Sequence, residues 1–210
     1  LDLLLEELEN ATGINLERDV LDWMTGELAV ALLPTDFKGV AEDPESEAVQ
    51  AVAMLQSDSR KHEKVTRLMD DVVDLLEDTL GISARTVTYG RGEGAVLDLR
   101  SLAERTPYDP GYLLFSDSVV AATTKDALEL VASVEEGKAA SLAEAKEYGQ
   151  LVDRVSGTRN LLMYVNIASL REQLVSGLED LKDYQEVKPF VQPLSGLLMA
   201  GSNEEGVTRF

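Results

Sequence analysis

The chain holds a single histidine, His62, and no cysteine. Those two counts already narrow the chemistry open to it. Without a thiol there is no disulfide, no thiolate nucleophile and no zinc–sulfur site. One imidazole cannot build the two- or three-histidine ligand sets that hold catalytic zinc. His62 could in principle act as a general base, but a base needs an orienting acid and a nucleophile around it. No spacing in the chain nominates either. His62 falls in the first turn of a predicted helix, on its polar side, and reads as a surface histidine.

Carboxylates are the abundant reactive groups, with 39 Asp and Glu against 19 Lys and Arg, for a formal net charge of −20. Asp70, Asp74, Glu77 and Asp78 line one side of the same predicted helix, with Asp71 beside them. Carboxylates at that spacing could gather a divalent cation if a second element added ligands. The plainer reading is a solvated face opposite an apolar stripe. The acidic Glu42–Glu47 segment lacks the Asp-x-Asp-x-Asp-Gly spacing of a calcium loop. Paired carboxylates could also cleave glycosides, yet so acidic a chain picks out no particular pair.

Two further patterns resemble active-site motifs without their frames. Gly90-Arg91-Gly92-Glu93-Gly94 has the glycines of a phosphate loop. Such a loop needs a following helix and usually a Lys-Ser/Thr pair, whereas Ala95-Val96-Leu97 is a strand pattern, so a hairpin turn is predicted. Ser156-Gly157 and Ser195-Gly196 lack the strand–turn–helix setting of a nucleophile elbow. No residue is therefore nominated as catalytic, cofactor-binding or metal-ligating, and no cofactor is expected. The negative charge repels phosphate backbones and anionic lipid surfaces, so no nucleic-acid partner is expected. A protein, peptide or lipid ligand stays open.

The elements that would position these groups centre on Gly13–Pro34. Asn15 can cap a short helix whose apolar side is Leu16, Val20, Leu21 and Met24, with Gly26 as its stop. Leu28-Ala29-Val30-Ala31-Leu32-Leu33 then alternates large and small residues, predicting a strand in the middle of a sheet. Trp23, the only tryptophan, is expected to lock that helix onto the sheet, although it could anchor a partner. The five methionines and Phe115, Tyr164 and Phe190 are expected in the core.

Further elements follow in order. A helix over 1–12 precedes this run, and an acidic loop follows it. Ala48–Leu55 reads as a strand, and Ser57-Asp58-Ser59 offers caps for a helix over 59–80, closed by Gly81. Hairpins are predicted over 86–99 and 112–123, then helices over 125–135 and 141–155, the latter opened by a Ser141/Glu144 capping box. A strand at 160–166, helices near 168–183 and 187–192, and a hairpin pairing 197–200 with 207–210 complete the reading. A strand runs through a polar cap into a helix at 48–80, 118–135 and 160–183. With hairpins between these units, the expected class is α+β, an antiparallel or mixed sheet with helices mainly on one side. The chain is either one domain or two tightly joined lobes, about 1–135 and 136–210, built from related strand–helix–hairpin units. It is read as a fragment of a longer protein, because it starts inside a helical pattern and stops inside a strand pattern.

The lead-in Gly13-Ile14-Asn15-Leu16-Glu17-Arg18-Asp19-Val20-Leu21, then Trp23, Gly26-Glu27 and the Ala/Leu/Val strand, resembles the bacterial domain-of-unknown-function 3352 family. Gly111–Phe115 through Ala127-Leu128, and Leu161–Leu170, fit the same pattern. The resemblance implies a domain outside the cytoplasm, tethered by an N-terminal membrane anchor preceding Leu1, and it assigns no catalytic residue; the absence of cysteine is equally compatible with a cytoplasmic domain, the alternative. The expected function is a non-enzymatic binding or interaction domain, with a carboxylate-dependent hydrolase or a structural envelope spacer as alternatives.

Overall fold

A computed structural model of the chain describes residues 13–33, 39, 43, 48–155, 161–168, 189, 195–204 and 207–209. The helices expected over 1–12, 168–183 and 187–192, and most of the acidic loop, lie outside them, as does Phe190.

The fold is α+β with antiparallel sheets. Strands β1 (Met24–Leu32), β2 (Ala51–Ser57), β3 (Ser83–Tyr89), β4 (Gly92–Asp98), β5 (Gly111–Leu114) and β6 (Ser118–Ala122) form one six-stranded sheet ordered β1-β2-β6-β5-β4-β3. Strands β7 (Leu161–Val165), β8 (Leu197–Glu204) and β9 (Val207–Arg209) form a second, three-stranded sheet. The helices of the first sheet are α1 (His62–Leu80) and α2 (Lys125–Glu135), and a short α3 (Lys146–Val152) follows.

Local chemistry sets the element boundaries. The Asp58 carboxylate accepts from the Arg60 amide at 3.0 Å, opening a single 3-10 turn that feeds α1. Gly81, at φ 65°, ends α1 in the left-handed conformation only glycine adopts cheaply. Thr124 Oγ1 accepts from the Ala127 amide at 3.3 Å and caps α2 as its sequence predicts. The strand-to-cap-to-helix units at 48–80 and 118–135 are thus both present. Hairpin β3–β4 turns tightly at Gly90-Arg91, so the glycine-rich run is indeed a hairpin turn.

Strand alternation divides the core in two. Ala95, Tyr112, Leu114 and Val119 face α1, packing with Val65, Leu68, Met69 and Trp23. Val52, Val96, Leu113, Val120 and Ala122 face the opposite way, onto Ala127, Leu128 and Ala132 of α2. Within the expected class, the helices therefore cover both faces instead of gathering on one. β5 and β6, the middle strands, are apolar on both parities, which is what a doubly covered sheet requires.

The structure corrects several expectations. The 27–33 segment lies on the edge, not in the middle, since β1 pairs only with β2 among the described residues. Alternation reports which face a side chain takes; the position in strand order is set by long-range pairing, which alternation does not encode. Gly26 is no helix stop. A π-helical turn, Leu16–Leu21, ends before it, and Gly26 lies where the β1–β2 register shifts between Met24 and Leu28, as at a β-bulge.

Three of the five methionines, Met54, Met163 and Met199, are exposed rather than core. The helix expected over 141–155 splits at Ala145, whose ψ of 117° is extended. The Ser141 amide donates to Glu144 at 2.9 Å, closing one 3-10 turn before α3 starts. The final hairpin does not pair 197–200 with the last strand: Leu197–Gly201 pair with β7, and Ser202–Glu204 pair with β9 through a tighter turn, Glu204 opposite Val207.

Candidate functional site

The residues singled out by sequence end up apart. His62 begins α1 on the surface, and Asp70, Asp71, Asp74, Glu77 and Asp78 are all exposed along the helix. Glu77 accepts from the Ala84 amide at 3.0 Å, a structural tie between α1 and β3. Among the described residues no three His, Asp or Glu side chains come together as a metal site. The stripe behaves as a solvated face. Burial raises the Tyr112 phenol, and the Asp70 carboxylate adds to that.

Trp23 is 2% exposed, and its indole N–H donates to the Asp19 carbonyl at 2.5 Å. It is a core residue that pins the N-terminal turn, not a surface anchor. Asn15 Oδ1 accepts from the Arg18 amide at 2.9 Å, the cap its sequence position predicts. Lys61 and Lys64 both pair with Asp22, at 2.8 and 2.9 Å, clamping the same turn onto α1.

A concave site lies elsewhere, where the open end of the β3–β4 hairpin meets the connection to β5. It is a cleft of about 390 Å³, lined by Ser83, Ala84, Arg85, Val96 to Arg100, Thr106, Tyr108 and Asp109. That volume falls within the range of small-ligand sites. Sequence reasoning missed these residues because the cleft arises from strand pairing. Arg85 and Val96 are opposite one another across β3 and β4, but lie eleven positions apart in the chain.

Its charged groups are unequally committed. Asp98 accepts from the Arg100 amide at 3.0 Å and forms an ion pair with the Arg100 guanidinium. Those bonds hold the Asp98 carboxyl down to about 2, so it is ionised throughout the neutral range. A general acid must keep its proton near neutral pH, and Asp98 is tuned the opposite way. Asp109 spends Oδ1 on the Lys125 amide at 2.8 Å, capping the start of α2. The Tyr108 hydroxyl accepts from the Val49 amide at 3.4 Å. Arg85 differs: it is exposed, and no ion pair ties it to a carboxylate among the described residues. Among the described residues, the cleft thus offers one guanidinium outside any ion pair, near the Tyr89 phenol, beside polar groups already held in place.

Comparison with known proteins bears on the whole chain. A family model described as "Protein of unknown function (DUF3352)" matches residues 1–205. The chain belongs to the DUF3352 family. No curated protein and no solved structure matches it. The resemblance carried by the Gly13–Leu33 run thus extends over nearly all of this DUF3352 chain, while the family's description assigns it no activity.

Proposed function

We propose that this DUF3352 domain is a non-enzymatic binding module that takes a short acidic peptide segment in the cleft beside β3. The observation that carries the reading is the Arg85 guanidinium, outside any ion pair among the described residues, at the rim of a cleft whose other charges are engaged. Arginine presents a planar fork of donors matched to a carboxylate, and a ligand that reaches it exchanges water for a charge-assisted pair. Asp98 and Arg100 neutralise each other, so the cleft interior does not inherit the repulsive charge of the molecule as a whole. A purely structural spacer would have no need of such a cleft. Asp98, held as an anion, is not set up as the general acid of a carboxylate hydrolase.

The reading includes location. We place the domain outside the cytoplasm, tethered through an N-terminal anchor, as its likeness to the family implies; fractionation of the native gene product would test this. The binding claim is tested by titrating peptides of about five to eight residues, acidic and neutral, while following backbone amide shifts by NMR. Acidic peptides should move resonances at Arg85, Leu97 and Tyr108, and Arg85→Glu should abolish the response with the melting temperature unchanged. Equal response to neutral peptides, or full binding by Arg85→Glu, would refute it.

A further inference from the structure

Among the described residues β1 is an edge strand with an exposed apolar row: Leu28, Val30 and Leu32 are 63%, 68% and 70% exposed. Ala29 and Ala31 between them are exposed as well. The Leu33 amide donates to the Gln50 carbonyl at 2.9 Å, so odd-numbered residues of β1 hydrogen-bond toward β2. By the alternation of an antiparallel ladder, the N–H and C=O groups of Leu28, Val30 and Leu32 point out of the sheet. An exposed, apolar edge strand is a template for another strand, and natural sheets usually guard it with charge or proline. Residues 28–32 contain neither.

The sequence also says which strand fits. Leu28-Ala29-Val30-Ala31-Leu32 reads identically in both directions. Antiparallel pairing of two copies about a two-fold axis through Val30 sets each Leu28 opposite the other copy's Leu32, and each Val30 opposite itself. The outward groups of all three then meet as hydrogen-bonded pairs, and the three large side chains of each copy share one face with their counterparts. Such self-complementarity is the condition for a closed, isologous interface. We propose that β1 pairs with β1 of a second copy of this chain, joining two six-stranded sheets into one continuous sheet.

The area and charge set how tight this is. Five residues a side bury well below the roughly 1,200 Å² typical of stable complexes, so the dimer is weak and reversible. Two molecules of net charge −20 repel, while the contact strip itself carries no charge. Salt therefore strengthens the association, the reverse of an ion-paired interface.

Sedimentation of the chain from about 1 to 500 µM, at low salt and at about 0.5 M salt, reads the equilibrium directly. A monomer–dimer transition that tightens with salt is expected, and Val30→Lys, which puts like charges opposite each other at the axis, should weaken it by about tenfold or more. Because the chain has no cysteine, Val30→Cys introduces a unique thiol at the axis. It should cross-link to a disulfide dimer on mild oxidation, while Leu142→Cys, at another exposed leucine, should not. A monomer at every concentration and salt, undiminished dimerisation of Val30→Lys, open-ended oligomers, or equal cross-linking of both cysteine variants would overturn the proposal.

Discussion

The two edges of the six-stranded sheet are built on opposite principles. β3, Ser83-Ala84-Arg85-Thr86-Val87-Thr88-Tyr89, is polar along most of its length and carries a cation. One of its outward amides, that of Ala84, is already satisfied by Glu77. β1 shows Leu, Ala, Val, Ala and Leu to solvent, with its outward backbone groups open among the described residues. The same sheet thus has one edge that discourages pairing and one that invites it. The polar cleft lies at the guarded edge, and the self-pairing we propose uses the unguarded one.

Between the edges lies the region that stabilises both. Leu113 and Leu128 are fully buried, one on β5 and the other on α2. Leu128→Ala should therefore produce the largest loss, about 2–5 kcal/mol in a denaturant titration, through lost burial and a cavity that rigid neighbours cannot fill. Gly94→Ala comes next. A Cβ there would sit 1.9 Å from the Tyr112 carbonyl oxygen of the neighbouring strand, so β4 and β5 must separate. A loss of about 1–3 kcal/mol is expected by the same measurement. A cost no greater than that of a surface change in either variant would contradict a sheet centre covered on both faces.

Exchanging the character of the edges is a sharper intervention with less effect on stability. Val30→Lys should change unfolding free energy by no more than about 0.5 kcal/mol, since the site is solvent-facing, yet weaken association by about tenfold or more. Arg85→Leu with Thr86→Val should do the reverse, giving the β3 edge a new tendency to associate, measurable by light scattering. Failure of the double variant to associate would mean that the Glu77 tie alone is enough to guard that edge.

The smallest expected effect concerns acid. Asp58 and Asp98 occupy similar places, Asp58 just after β2 and Asp98 at the end of β4, each capping a 3-10 turn and pairing with the arginine two residues on. Both are lowered from 3.8 to about 2, by the arginine side chain first and the backbone amide second. Lowered carboxylates stabilise the fold fully above their unfolded value and lose that contribution as pH falls from about 4 through 2. Asp58→Asn or Asp98→Asn should flatten the stability profile in that window and leave its slope near neutrality unchanged. An unaltered acid limb in both variants would show that these pairs do not stabilise the fold.

Much of this was legible from local sequence. α1, α2 and the first two hairpins follow from apolar spacing, from Asp58 and Thr124 as caps, and from glycines at Gly81 and Gly90. Trp23 as a lock was legible too, because a lone aromatic beside an apolar turn has few other places to go. Three things were not. The edge position of β1 depends on β2 choosing β6 as its other neighbour, a pairing across some sixty residues of chain that leaves no local mark. The division of helices between faces depends on crossover geometry, not on periodicity. The cleft was hidden because Arg85 looks like any strand arginine until Asp98 and Asp109 are seen to be occupied elsewhere.

Hydrogen exchange at single-residue resolution, followed as a function of protein concentration, tests the contrast between the two edges most directly. In dilute solution Ala29, Ala31 and Leu33 should be protected, whereas Leu28, Val30 and Leu32 exchange freely. As concentration rises, Val30 should gain protection while Thr86 on the opposite edge does not. Amides at Val30 and Thr86 that respond alike, or that never respond to concentration, would contradict the account.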